Sequence, residues 1–273
     1  MIRCKPLLGT YVEISIDEIT EDYAPSKANI AIDAAFSTIE LVQQLMSFHN
    51  PLSELSIINS LAHTKTLQVH EWTYQVLATA IEIYHASNGL FNCGVGAKLT
   101  SSGMLPSYDE QQSIKFGGLE DIVLLDSNQI TSKKPLRLDL GGIAKGFAVD
   151  KAVETLKALG IFSGSVNAGG DLRVFGSSPK EIQVRSPANP NELIQIGFLE
   201  NGSIASTSTY YITGMSPIIN PIEMKHVELM GSYSMLAPEC IHADALTKVL
   251  TISQDQKHPC FDYFSAQALR IHA

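Results

Sequence analysis

A glycine-rich segment in the middle of the chain has the composition expected of an anion-binding turn. It runs from Asp139 through Gly141 and Gly142 to Lys145, and apolar residues precede it while a helix-like stretch follows. Backbone N–H groups at the start of a helix attract phosphate, and a lysine beside them adds positive charge. The spacing matches neither a Walker A loop nor the G-x-G-x-x-G dinucleotide motif. The segment therefore predicts phosphate binding, with a tight strand-to-helix turn and a surface lysine as the alternative.

Asp139 and two further segments carry polar groups that could contact such a ligand. Asp139, at the end of a predicted strand, could accept hydrogen bonds from a sugar or a base. The turn from Asn167 to Asp171 contains two glycines and is also explained as an ordinary hairpin turn. The hydroxyl-rich segment 204–209 could bind phosphate or ribose oxygens, or it could be plain surface.

Asp244 stands at the start of another predicted helix. Thr247 and Lys248 follow it at the i+3 and i+4 positions, on the same helical face. Two interpretations stay open for the carboxylate of Asp244: it caps its own helix, or it binds a metal ion.

Composition and charge exclude several classes of protein. The chain has 273 residues, 45% of them hydrophobic, which is enough for a sizeable core and predicts one large domain. A formal charge of -9 without a cluster of Lys and Arg argues against nucleic-acid binding. The four cysteines lack the spacing of a zinc site or a disulfide framework. No apolar run reaches the length of a membrane span or a signal peptide, so we expect a cytoplasmic protein, or a periplasmic one if a leader has been removed.

Helical and alternating patterns interleave along the chain, which predicts an α/β fold. Ser53 is placed to cap a short helix, and Gly160 is placed to end a longer one. The longer helices are predicted over Ala31–Met46, Thr73–His85, Ala148–Leu159 and Ala243–Ser253. The strands are predicted over Tyr11–Ile16, Asp121–Leu125, Leu136–Leu140, Leu172–Phe175 and Glu181–Val184.

Taken in order, these segments resemble the ApbE family of FAD:protein FMN transferases, whose members split FAD and attach FMN through a phosphoester to a Thr or Ser of another protein. The motifs that carry the resemblance are DLGGIAKGFAVD at 139–150, NAGGD at 167–171 and ADAL at 243–246. The resemblance spans nearly the whole chain. It implies a single compact α/β (α+β) domain over residues 1–273, related to the T-fold, with mostly antiparallel sheets and packed helices.

Carried over position by position, the resemblance also implies a binding site. Lys145 and Asp244 take catalytic roles in it. Magnesium is expected on the backbone carbonyl of Gly142, on Asp244 and on Thr247. The residues expected to line the FAD site are Leu8, His49, Leu90, Phe91, Asn92, Asp139, Lys145 and Ile218.

The chain departs from the family pattern at positions that bear on catalysis. Lys248 stands where the family usually has a metal-binding Thr, and Pro217 and Asn220 replace the His and Asp of an HIIDP segment. His49 and Asn92 replace the usual Tyr and Asp of two flavin-contacting motifs. Two alternatives to FMN transfer therefore stay open: an FAD pyrophosphatase, in which water replaces the acceptor hydroxyl, and a non-catalytic FAD-binding protein.

Overall fold

The computed structural model describes residues 1–17, 25–107, 114–189, 191–208 and 215–272. The helices within these ranges are α1 (Pro25–Met46), α2 (Glu54–Leu61), α3 (Glu71–Ala86), α4 (Gly96–Ser101), α5 (Ala144–Ala158), α6 (Cys240–Ser253) and α7 (Pro259–Tyr263). The strands are β1 (Ile2–Leu7), β2 (Thr10–Ile16), β3 (Leu67–Gln68), β4 (Ile122–Leu125), β5 (Gln129–Ser132), β6 (Gly164–Ala168), β7 (Asp171–Phe175), β8 (Lys180–Arg185), β9 (Leu193–Leu199), β10 (Gly202–Ser208), β11 (Ile219–Asn220), β12 (Lys225–His226), β13 (Ser232–Ala237) and β14 (Gln267–Ile271).

The chain folds as two compact units. The first contains Met1–Gln43, Lys145–Ile212 and Leu229–Ala273, and the second contains Gln44–Ala144 and Thr213–Glu228. The boundary at Ala144 therefore falls inside the glycine-rich motif, at the first residue of α5.

A seven-stranded antiparallel sheet forms the centre of the first unit, in the spatial order β1-β2-β6-β7-β10-β13-β14. Val12 and Ile14 of β2 are fully buried, and Tyr11 and Glu13 are exposed, as the alternating sequence pattern predicts. Helix α6 packs on β10 and β13. The hydroxyls of Thr38 on α1 and Thr155 on α5 lie 2.9 Å apart, so these two helices are neighbours.

The second unit is smaller and combines α2, α3 and α4 with two small sheets, β3-β5-β4 and β11-β12. The side chain of Ser53 accepts a hydrogen bond from the N–H of Ser56, which confirms its predicted role as the cap of α2. The carboxylate of Glu54 accepts hydrogen bonds from the N–H of His70 and the hydroxyl of Thr73, and these bonds tie α2 to α3.

The fold class expected from the sequence is confirmed. Neighbouring strands in all four described sheets are antiparallel, and the single parallel contact is an isolated bridge between Gly117 and Leu136. The predicted helices all form, although α5 and α6 begin earlier than Ala148 and Ala243. Within the described ranges, no helix combines the length and the apolar character that crossing a membrane requires.

The strand predicted over Leu136–Leu140 is wrong, because its backbone pairs with side chains and loops. Asn59 on α2 accepts a hydrogen bond from the N–H of Leu138 at 2.7 Å and donates one to its carbonyl at 3.0 Å. The carbonyl of Arg137 accepts from the N–H of Gly96 at 3.0 Å. Leu136, Leu138 and Leu140 are buried, as their apolar character predicted, but the segment joins none of the described sheets.

Candidate functional site

Four charged side chains meet in the first unit and form what we call the charge cluster: Lys145 on α5, Asp171 on β7, and Asp244 and Lys248 on α6. The ammonium of Lys145 forms ion pairs with Asp171 and, at 3.3 Å, with Oδ2 of Asp244. Lys248 pairs with the other carboxylate oxygen of Asp244. Two positive and two negative charges are therefore held together. The alternative interpretation of Lys145 as a plain surface lysine is wrong.

Burial and charge set the protonation of this cluster. Burial alone would raise the pKa of Asp244, but the ammonium groups of Lys145 and Lys248 outweigh it and lower that pKa to about 2. Burial and the neighbouring charge of Asp244 raise the pKa of Asp171. Burial also acts to lower the pKa of Lys145, yet the two carboxylates reverse this and raise it above its ordinary value. Asp244 and Lys145 are therefore charged at neutral pH.

Gly146 allows α5 to approach α6 closely enough for this arrangement. Its N–H donates a hydrogen bond to Oδ2 of Asp244 at 3.1 Å. A Cβ atom at this position would lie 2.2 Å from the carbonyl oxygen of Cys240 and 2.9 Å from Cβ of Asp244. Gly146, which precedes the predicted start of this helix at Ala148, is thus required by a contact between helices.

The carboxylate that caps α6 comes from another helix. Asp150 on α5 accepts hydrogen bonds from the N–H groups of Cys240 and Ile241 at 2.9 and 2.8 Å, and it pairs with Arg173. Because α6 begins at Cys240, Asp244 lies inside the helix and cannot cap it. The capping interpretation of Asp244 is wrong, and sequence analysis missed the role of Asp150.

Asp171 is a second residue of this region that sequence analysis did not assign to the site. It begins β7, directly after a two-residue hairpin turn in which Gly169 and Gly170 have φ angles of 62° and 103°. The hairpin interpretation of this segment is confirmed by the antiparallel pairing of β6 and β7. The sequence signal that could have identified Asp171 is a carboxylate directly after the two glycines of the NAGGD motif.

Residues 204–208 of the hydroxyl-rich segment lie in β10, a strand of the central sheet. Its Thr207 hydroxyl donates a hydrogen bond to the hydroxyl of Thr247 at 3.3 Å, and Thr247 donates in turn to the carbonyl of Asp244 at 2.7 Å. The segment therefore contacts the helix that carries the charge cluster. Thr209 lies outside the described residues.

The glycine-rich turn in the second unit differs from its prediction, because the protein itself uses most of the backbone N–H groups. The N–H of Gly141 donates to the carboxylate of Asp139 at 3.2 Å. The N–H groups of Ile143 and Ala144 donate to the carbonyl of Leu140. Phosphate binding at this segment would therefore depend more on the charge of Lys145 than on exposed N–H groups.

Asn92 organises a loop of the second unit. Its Oδ1 accepts hydrogen bonds from the N–H groups of Gly94 at 2.9 Å and Leu119 at 3.1 Å, and its Nδ2 donates to Glu120 at 2.9 Å. The neighbouring Phe91 is buried, and its N–H donates to the hydroxyl of Ser87. Leu90 is half-buried.

The other expected FAD-lining residues lie in turns and strands. Leu8 has a left-handed φ of 55° between β1 and β2, and its N–H donates to the side chain of Gln43 at 2.6 Å. His49 is exposed in the loop after α1, and Ile218 is buried just before β11.

The expected site residues are divided between the units. The first unit brings Lys145, Asp244 and Thr247 together. The expected residues of the second unit are His49, Leu90, Phe91, Asn92, Asp139, Gly142 and Ile218, whereas Leu8 belongs to the first.

The donors around Asp244 do not fit a magnesium ion. Both carboxylate oxygens already bind ammonium groups, and a protonated lysine has no lone pair to offer a cation. Across the described ranges, no group of three or more His, Cys, Asp and Glu side chains is arranged to hold a metal. Magnesium prefers near-octahedral oxygen coordination, and Lys248 occupies one side of the carboxylate instead.

Two solved structures of ApbE proteins have a fold similar to that of this chain. The structure of the ApbE protein from Thermotoga maritima aligns with a TM-score of 0.85 at 23% identity, covering 100% of this chain and 94% of that one. Flavin transferase ApbE from Vibrio cholerae aligns with a TM-score of 0.84 at 23% identity, covering 100% and 93%. The mixed α/β fold with its antiparallel sheet is therefore shared with this class of protein.

The sequence matches the model of the ApbE family over residues 8–261, so the chain belongs to the ApbE family. A relative from Chlamydia muridarum, named FAD:protein FMN transferase, is 28% identical over 253 residues, covering 82% of this chain and 75% of the relative. A relative from Chlamydia trachomatis with the same name is 29% identical over 247 residues, covering 82% and 75%.

Proposed function

We propose that this protein is an FAD:protein FMN transferase, which moves FMN from FAD to a Thr or Ser hydroxyl of an acceptor protein and releases AMP. The observation that carries the proposal is the position of Lys145, whose ammonium lies between two buried carboxylates at the start of the family motif's helix. Membership of the ApbE family and the shared name of the relatives support it.

The reaction is a phosphoryl transfer. The acceptor oxygen forms a bond to the phosphorus of the FMN half, and the bond between that phosphorus and the bridging oxygen of the diphosphate breaks. The hydroxyl proton passes to the AMP phosphate or to solvent. Catalysis of this kind depends mainly on positioning and on stabilising the charge of the phosphate oxygens.

The chain's own residues supply two parts of this scheme. Lys145 offers a permanently charged ammonium to the diphosphate, because its pKa is raised by Asp171 and Asp244. Asp244 acts as a positioning residue that holds Lys145, Lys248 and the start of α5 in one arrangement. Since the donors do not fit magnesium, no step is assigned to a metal.

We further propose that the residues of the second unit named above contact FAD. The carboxylate of Asp139 is the strongest candidate among them, because a half-buried carboxylate accepts hydrogen bonds from ribose hydroxyls readily. Asp139→Ala is expected to weaken FAD binding about tenfold, which corresponds to the loss of one good polar contact.

Incubation with FAD and a peptide carrying an acceptor Thr tests the function. We expect a fluorescent peptide and an equal amount of AMP, measured by gel fluorescence and chromatography. AMP with free FMN would instead identify an FAD pyrophosphatase, and unchanged bound FAD would identify a binding protein. Lys145→Met should abolish transfer, whereas Lys157→Met, on an exposed part of the same helix, should not.

A further inference from the structure

The position of Lys248 on α6 brings its ammonium against Asp244. One N–H donates to the carboxylate of Asp244, one turn earlier on the helix, and another donates to the backbone carbonyl of the same residue at 2.9 Å. Among the described residues, the third N–H has no hydrogen-bond partner. The side chain is 18% exposed, so this remaining donor is close to the protein surface.

The oxygen atoms that would surround a cation here already have hydrogen-bond partners. Oδ2 of Asp244 accepts from Lys145 and from the N–H of Gly146, and Oδ1 accepts from Lys248. The hydroxyl of Thr247 donates into the helix backbone and accepts from Thr207. A divalent ion would have to displace an ammonium and would be repelled by two positive charges nearby.

We propose that the ammonium of Lys248 takes the place of a divalent cation beside Asp244, so that Lys145 and Lys248 hold the FAD diphosphate without magnesium. The part of this inference that concerns FAD rests on the proposed function. The part that concerns the metal stands on the contacts of Asp244 alone. The ligand class is a dinucleotide diphosphate, whose negative charge is met by two lysines rather than by one lysine and a metal.

Metal binding without FAD gives the first test. Titration of the wild-type protein with manganese, followed by electron paramagnetic resonance, should show no binding that Asp244→Asn removes. Lys248→Thr should create such binding, because it exchanges an ammonium for a hydroxyl oxygen. A wild-type protein that binds one manganese ion at Asp244 would overturn the proposal.

FAD affinity with and without magnesium gives the second test. In the wild-type protein, replacing magnesium by a chelator should leave the Kd for FAD unchanged within a factor of about two. In Lys248→Thr, the chelator should raise the Kd about tenfold or more, and magnesium should restore it. Lys248→Met should lose affinity without recovery, because a thioether does not bind magnesium.

Lys257→Thr is the matched control, since this lysine is exposed just beyond α6 and should behave as wild type. A wild-type protein that requires magnesium for FAD binding would overturn the proposal even if the Lys248 variants fail to fold. Failure of the proposed function looks different. In that case FAD does not bind under either condition, while the manganese titration still decides whether Lys248 excludes the metal.

Discussion

The charge cluster of the first unit and the loop contacts of the second unit are built from different interactions. In the cluster, charged side chains from α5, α6 and β7 pair with one another. In the second unit, the neutral amides of Asn59 and Asn92 bond backbone groups. A neutral amide fixes the path of the backbone. A cluster of paired charges also affects which ions can accompany a bound ligand.

The energetics of the two regions differ accordingly. Removing one neutral hydrogen bond costs about 1 kcal/mol, or somewhat more when the partner stays buried and unsatisfied. Removing one member of a buried ion pair leaves an uncompensated charge and costs more than that. Substitutions in the cluster should therefore affect stability more than substitutions in the loops.

Gly146→Ala should have the largest effect, because its methyl group would overlap the carbonyl of Cys240. We expect a loss of about 3 kcal/mol or more in the free energy of unfolding, measured in urea. Glu154→Ala, on the exposed face of the same helix, is the control and should change stability by less than about 0.5 kcal/mol. An equal effect of both changes would contradict the close approach of α5 and α6.

Asp244→Asn should destabilise the protein by about 2 kcal/mol, because the folded state favours the ionised form of this carboxyl and lowers its pKa to about 2. Asp171→Asn should cost less, since burial and Asp244 raise the pKa of Asp171 and so disfavour its charge. Urea unfolding of both variants measures the difference. A greater loss for Asp171→Asn would mean that the charges are arranged differently.

Asn59→Ala should cost about 1.5 kcal/mol, because both backbone groups of Leu138 lose their side-chain partner. Asn59→Asp keeps the acceptor and loses the donor, so its effect should be intermediate. Ser60→Ala, at the neighbouring exposed position of α2, is the control for urea unfolding. An unchanged free energy of unfolding in Asn59→Ala would show that the 136–140 segment does not depend on these two hydrogen bonds.

The pH dependence of the free energy of unfolding should differ between the two regions. This is the smallest of the expected effects. Asp244 has a lowered pKa, so its contribution is present above the ordinary value of 3.8 and is lost as the pH falls to about 2. Asp171 has a raised pKa and acts in the opposite direction, because it takes up a proton first in the folded state. The stability gap between wild type and Asp244→Asn should shrink from about pH 4 to about pH 2. The gap for Asn59→Ala should stay constant.

The sequence predicted the helices because their apolar residues repeat at helical spacing, and it predicted the hairpin at Gly169 from its glycine pair. It placed the start of α5 at Ala148, four residues too late, because the glycines before Ala148 are typical of a turn. A glycine in a turn and a glycine at a close contact between helices look alike in one sequence. Only the position of Cys240 in space distinguishes them.

The sequence predicted only part of the site, because contacts between distant residues leave no local pattern. Lys145 and Asp244 came from motifs, and they do lie together. Asp171 and Asp150 act through partners that are 26 and 90 residues away, and no local pattern records such pairings. The strand predicted at Leu138 failed because an amide side chain replaced the expected neighbouring strand.

The hydrogen bond from Gly146 to Asp244 has a consequence for local opening of the molecule. The amide proton of Gly146 is buried against a carboxylate of another helix, so solvent reaches it only when the two helices separate. Its exchange with deuterium should therefore report the separation of α5 from α6 at a single position. The same event would release Lys145 from Asp244, whereas Lys248 lies on the same helix as Asp244 and would stay paired with it.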